Sequence, residues 1–119
     1  MGILKEFLNK IKKESKAQLT EHAVIIHFRY GIDELDPLHQ LERKLEKLIS
    51  EKGVGFYDGH EIAMDCSDGF LYMYGPNAEV LFRAVRPMLE KTEFMKGAIA
   101  QLRFGPPEDG VREIEVKLN

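Results

Sequence analysis

The chain contains one cysteine, Cys66. A single thiol cannot build an internal disulfide framework and fits a reducing compartment, so a cytoplasmic location is expected. No apolar run approaches the roughly 20 residues needed to cross a bilayer, so no integral membrane segment is expected. A secretory leader is not expected either, because Glu6, Asn9 and Glu14 interrupt the apolar core it would need. Positive charge is not in excess: 17 Lys and Arg stand against 20 Asp and Glu, a formal net charge of -3. Phosphate-binding surfaces usually leave a basic footprint, which argues against nucleic acid as the partner. The sequence also lacks a glycine-rich phosphate loop, a His-Glu-x-x-His motif, a nucleophile-base-acid triad and internal repeats. No cofactor and no metal centre are expected, and no catalytic residue can be named.

What is present is an ordinary globular composition. The chain has 119 residues, 44% hydrophobic and 31% charged, which allows one domain with its own core. Residues 1–18 stand apart. Ile3, Leu4, Phe7, Leu8 and Ile11 follow one helical face, with Lys5, Lys10, Lys12 and Lys13 around them. This predicts an amphipathic helix, read as packing on protein and not on lipid. Residues 19–119 form the domain proper.

His22–Tyr30 alternates as a strand does and ends at Gly31. Asp36 and Pro37 open a helix, with Asp36 as its cap and Leu38, Leu41, Leu45 and Leu48 as its buried stripe beside Ile49. Gly53 supplies the left-handed stop. Val54–Asp65 is extended again, with Phe56, Ile62 and Met64 on one parity. Asp58-Gly59 marks a turn or bulge within it. Cys66–Gly69 is read as a turn and Phe70–Tyr74 as the next strand. Asn77 caps a second helix that buries Leu81, Val85, Met88 and Leu89, and Pro87 predicts a kink or early end. Gly97–Phe104 and Val111–Leu118 read as a closing hairpin.

This order is a split β-α-β-β-α-β pattern with one more strand. It predicts an α+β, ferredoxin-like antiparallel sheet with an extra C-terminal strand and both helices on one face. The expected strand order is second, third, first, fourth, fifth. A four-residue turn at Cys66–Gly69 would pair Asp65 with Phe70, Met64 with Leu71 and Ile62 with Met73. Ile62, Met64, Leu71 and Met73 then face the core. Phe70, Tyr72 and Tyr74 face the other way, beside Ile25, His27 and Arg29, with Ile99, Gln101 and Arg103 beyond. A register one residue off would send the aromatics inside.

That open face is too apolar in the middle to be left to water, so it is the expected contact surface. The candidate binding residues are His27, Arg29, Phe70, Tyr72, Tyr74 and Arg103. The expected partner is another protein or a second copy, as in a homodimer, with a non-enzymatic or regulatory role. An RNA- or ligand-binding module using the same aromatics is the first rival, and an immunity-type protein that binds a toxin is a further one. Gly69-Phe70-Leu71-Tyr72-Met73 resembles part of the RNA-recognition-motif signature, which presents aromatics for base stacking. Asp68 stands where that signature has a basic residue, and the first strand offers Ile25 and His27 where it has an aromatic. The acidic cluster Asp58, His60, Glu61, Asp65 and Asp68 alternates faces and reads as turn and edge residues. His22 and His39 sit at element ends.

Asp58-Gly59-His60-Glu61-Ile62, followed by Asp68-Gly69-x-Leu71-Tyr72-x-Tyr74-Gly75-Pro76-x-Ala78, resembles a pattern in small bacterial α+β proteins of the ferredoxin-like kind. The likeness spans residues 22–119. It implies the fold and carries over no site, since that group has no established activity.

Overall fold

A computed structural model describes residues 21–119. The helix expected over residues 1–18 lies outside the described residues. Five strands and two helices follow in the order β1 (His22–Arg29), α1 (Asp36–Lys52), β2 (Phe56–Ile62), β3 (Asp68–Gly75), α2 (Ala78–Glu90), β4 (Ile99–Arg103) and β5 (Glu113–Lys117). A short 3-10 turn, Glu93–Met95, precedes β4. The strands form one antiparallel sheet in the order β2-β3-β1-β4-β5. No described helix is long and apolar enough to cross a membrane.

The helices form where their apolar stripes are. α1 buries Leu38, Leu41, Leu45 and Ile49, and Gly53 ends it at φ 63° with its N–H on the carbonyls of Ile49 and Ser50. Its start differs from expectation by one residue. Leu35 occupies the cap position without a side-chain bond, and Asp36 lies inside the first turn, where its charge favours the helix dipole. α2 is capped by Asn77, whose Oδ1 accepts from the N–H groups of Glu79 and Val80 at 3.0 and 3.1 Å. His22 Nδ1 accepts a third orphan N–H, that of Ala78, at 3.0 Å. α2 runs three residues past Pro87 to Glu90.

Both helices cover the same sheet face. Leu45, Ile49, Leu81 and Val85 meet Val24, Ile26, Phe28, Leu71, Met73 and Leu102 in one core. β3 therefore has the expected parity, with Leu71 and Met73 inside. β2 does not have the expected register. Glu61, not Asp65, lies opposite Phe70; His60, not Met64, lies opposite Leu71; and Ile62 pairs with Gly69. The reversal occurs at Met64–Ser67, where the Ala63 N–H bonds the Asp68 carbonyl at 2.9 Å. Asp65 Oδ1 accepts from the Ser67 N–H at 3.0 Å, and Cys66 takes the left-handed φ of 60°. The tail of β1 holds this turn in place, since Tyr30 and Gly31 donate to the Ser67 and Cys66 carbonyls. Met64, expected in the core, is fully exposed at the turn.

A bulge between Tyr57 and Gly59 makes the second correction. The extra residue, Asp58, reverses the parity of everything before it. Phe56 therefore leaves the core side and stacks on Tyr74, with ring centroids 5.6 Å apart. Tyr57 takes the core side opposite Met73. Gly59 sits at φ 126°, which a side chain rarely tolerates.

Candidate functional site

Two constellations stand out, one on each side of the sheet. On the side away from the helices, strand register arranges residues in rows. Glu61, Phe70, His27 and Ile99 lie side by side across β2, β3, β1 and β4. Tyr72, Ile25 and Gln101 form the next row, and Phe56, Tyr74, Ala23 and Arg103 the one after. The six residues singled out in the sequence thus share one face, with Arg29 at its end opposite Asp68.

These six differ in accessibility. His27 and Arg29 are exposed and Phe70 is half-buried, whereas Tyr72, Tyr74 and Arg103 are buried. Ala23, Tyr72 and Tyr74 form a second, smaller hydrophobic cluster, flanked by Ile25, Phe56 and Phe70. At the exposed end, the Phe70 ring stacks on the His27 imidazole, centroids 4.5 Å apart and 13° from parallel. His27 Nε2 and Asp68 Oδ2 are 2.9 Å apart, with both side chains nearly half exposed, so this pair contributes little to stability. Tyr72 O–H donates to Glu61. At the other end, Arg103 Nε donates to the Gly105 carbonyl at 2.8 Å. Its Nη2 is buried without a hydrogen-bond partner among the described residues. A buried donor left unpaired costs about 1–3 kcal/mol.

The second constellation lies at the edge of the helix-covered side. The bulge at Asp58 puts Tyr57 and His60 on the same face although they are three residues apart. In a regular strand residues three apart point to opposite faces. Both reach Glu42 on α1: Tyr57 O–H donates to Glu42 Oε2 at 2.5 Å, and His60 Nδ1 stands 2.8 Å from the same oxygen. His39, one helical turn before Glu42, brings its ring centroid within 6.0 Å of that of His60. Burial alone would raise the Glu42 carboxyl, but the bonds from His60 and Tyr57 outweigh it and hold the group below its usual range. Burial, followed by the bond to Glu42, drives the Tyr57 phenol far above its ordinary value.

Sequence reasoning missed this cluster. The i, i+3 spacing of His39 and Glu42 was available as a signal. The inward turn of His60 beside Tyr57 depends on the bulge, whose position one strand alone does not fix. Cys66 lies half-buried in the turn after β2. Compared with known proteins, the chain matches no family model, no curated protein and no solved structure.

Proposed function

We propose that this protein works by binding another protein chain, a second copy of itself in the simplest case, over the sheet face opposite the two described helices, at its accessible end. In this reading the β-α-β-β-α-β connectivity is a ferredoxin-like scaffold extended by β5, and function belongs to the face opposite its core. The observation that carries the reading is the Phe70–His27 stack at the accessible end of that face. An aromatic ring pair continuous with a buried apolar cluster is the kind of anchor that interfaces use. Arg103 Nη2, buried without a hydrogen-bond partner among the described residues, lies farther along the same face and fits a partner that brings an acceptor. A second copy has such groups at the edges of this face, Glu61 on β2 and Glu113 and Glu115 on β5. A two-fold pairing would bring one patch against itself.

The test is the double substitution His27→Ala with Phe70→Ser, both at accessible positions. Sedimentation velocity on the full chain should show wild-type association that the variant loses, while its denaturation midpoint stays near wild type. Association unchanged by the double substitution, or a monomeric wild type that captures no protein partner, overturns the reading. The aligned rings of His27, Phe70 and Tyr72 also favour a second reading, stacking on single-stranded RNA. Salt-dependent RNA binding lost in the same variant would select that one.

A further inference from the structure

We propose that His39, Glu42 and His60 form a binding site for a first-row transition-metal dication, with zinc as the ion the donors suit best. The three side chains each offer one ligand atom, and these atoms all lie within 4.8 Å of one another. They come from two elements that the core holds together: His39 and Glu42 from successive turns of α1, and His60 from β2. Two imidazole nitrogens with one carboxylate oxygen is a donor set for zinc and its neighbours. Calcium and magnesium would require several more oxygens.

The spacing is close to what coordination needs. Bonds of about 2.1 Å in a tetrahedral site set ligand atoms about 3.4 Å apart. His60 Nδ1 and Glu42 Oε2, 2.8 Å apart in a hydrogen bond, would separate by about 0.6 Å and release the proton between them on taking up the ion. The contraction falls to His39, which is half-buried and lines a cleft of about 360 Å³. The same cleft leaves room for a water molecule in the fourth place, as three-ligand zinc sites keep.

The surroundings support an ion. The Tyr57 O–H bond fixes the Glu42 carboxylate, as outer hydrogen bonds orient metal ligands. Glu46 and Asp58 line the cleft and add negative charge; Arg43 also lines it and opposes them. Metal uptake distinguishes this site from a purely structural Glu42–His60–Tyr57 hydrogen-bond network. This site is independent of the open-face reading, being on the other side of the sheet.

The experiment uses the full chain, treated with chelator, desalted and titrated calorimetrically with zinc chloride, then with magnesium and calcium chlorides. One zinc per chain is expected, with a Kd of about 1 μM or tighter, a raised thermal midpoint, and no uptake of magnesium or calcium. His39→Ala and Glu42→Gln should each weaken zinc binding by at least about 10-fold. His27→Ala, on the opposite face, should leave it unchanged. Circular dichroism establishes that each variant is folded, and His39, half-buried at the helix surface, provides the variant least disturbing to the core. A folded wild type that takes up no stoichiometric zinc overturns the proposal, and so does uptake that His39→Ala leaves unaltered.

Discussion

Tyr57 and Glu90 show how single side chains tune this fold. Tyr57 spends its hydroxyl on a charged acceptor, Glu42, in a half-buried setting. A bond of that kind contributes about 1.5–3 kcal/mol. Tyr57→Phe keeps the ring and removes the donor, so it should lower unfolding free energy by about that amount in urea titration. Glu90 acts at the surface. Its carboxyl accepts from Arg86 Nε at 2.9 Å and from the Asn119 N–H at 3.2 Å. Those two bonds, that of Arg86 first, hold it below its usual range. The unfolded chain therefore takes up this proton at a higher pH than the folded one. The pair's stabilisation is complete above about pH 4.5, the ordinary value, and is lost as pH falls through the folded value. Arg86→Gln should bring the urea midpoint down slightly at pH 7, and the gap from wild type should close toward pH 3. A gap that widens on acidification would refute the assignment.

At the scale of elements, the two helices and four of the five strands follow periodicity closely, while β2 depends on tertiary detail. Leu45 lies fully buried in the α1 stripe, and Leu45→Ala should cost about 2–5 kcal/mol. Met64, which periodicity alone would put beside it in the core, is fully exposed. Met64→Ser should therefore stay within about 0.5 kcal/mol of wild type in the same denaturation assay. The contrast has a physical cause. Alternation fixes which residues share a face, but a turn fixes which residue opposes which, and this turn is held by bonds to the tail of β1 that are distant in sequence. The bulge is the other such detail. Asp58-Gly59 announces an irregularity, yet only the pairing with β3 shows that one residue is extra, and that this puts Phe56 outside and Tyr57 inside. Deleting Asp58 should remove the bulge yet leave Tyr57 opposite Met73 and on the Glu42 side, since Tyr57 and His60 are then two positions apart; Tyr57→Phe in that background should still cost about 1.5–3 kcal/mol in urea titration.

At the largest scale, the described residues make a sheet with two unlike sides, and β3 displays both in adjacent residues. Leu71 is fully buried in the main core between sheet and helices. Phe70, its neighbour, lies half-buried on the other side, against His27 and Tyr72. Which residues share the face opposite the described helices was legible in the sequence because β3, β1 and β4 alternate without interruption; the His39–Glu42–His60 cluster was not, because it needs a helix, a bulged strand and their packing at once. The two sides should also differ energetically. Leu71→Ala removes buried methyl groups from a site that two helices prevent from collapsing, and should cost about 2–5 kcal/mol. Phe70→Ala removes a ring that is partly hydrated and stacked on an exposed imidazole, a pairing worth about 0.5–1.5 kcal/mol beyond its buried area. It should cost less than Leu71→Ala in the isolated chain, measured at protein concentrations low enough to keep it monomeric. At concentrations where chains associate, unfolding is linked to dissociation, and the apparent cost of Phe70→Ala should rise while that of Leu71→Ala stays constant. A Phe70→Ala cost equal to that of Leu71→Ala at every concentration would make Phe70 a second-core residue of the single chain, with no share in an interface.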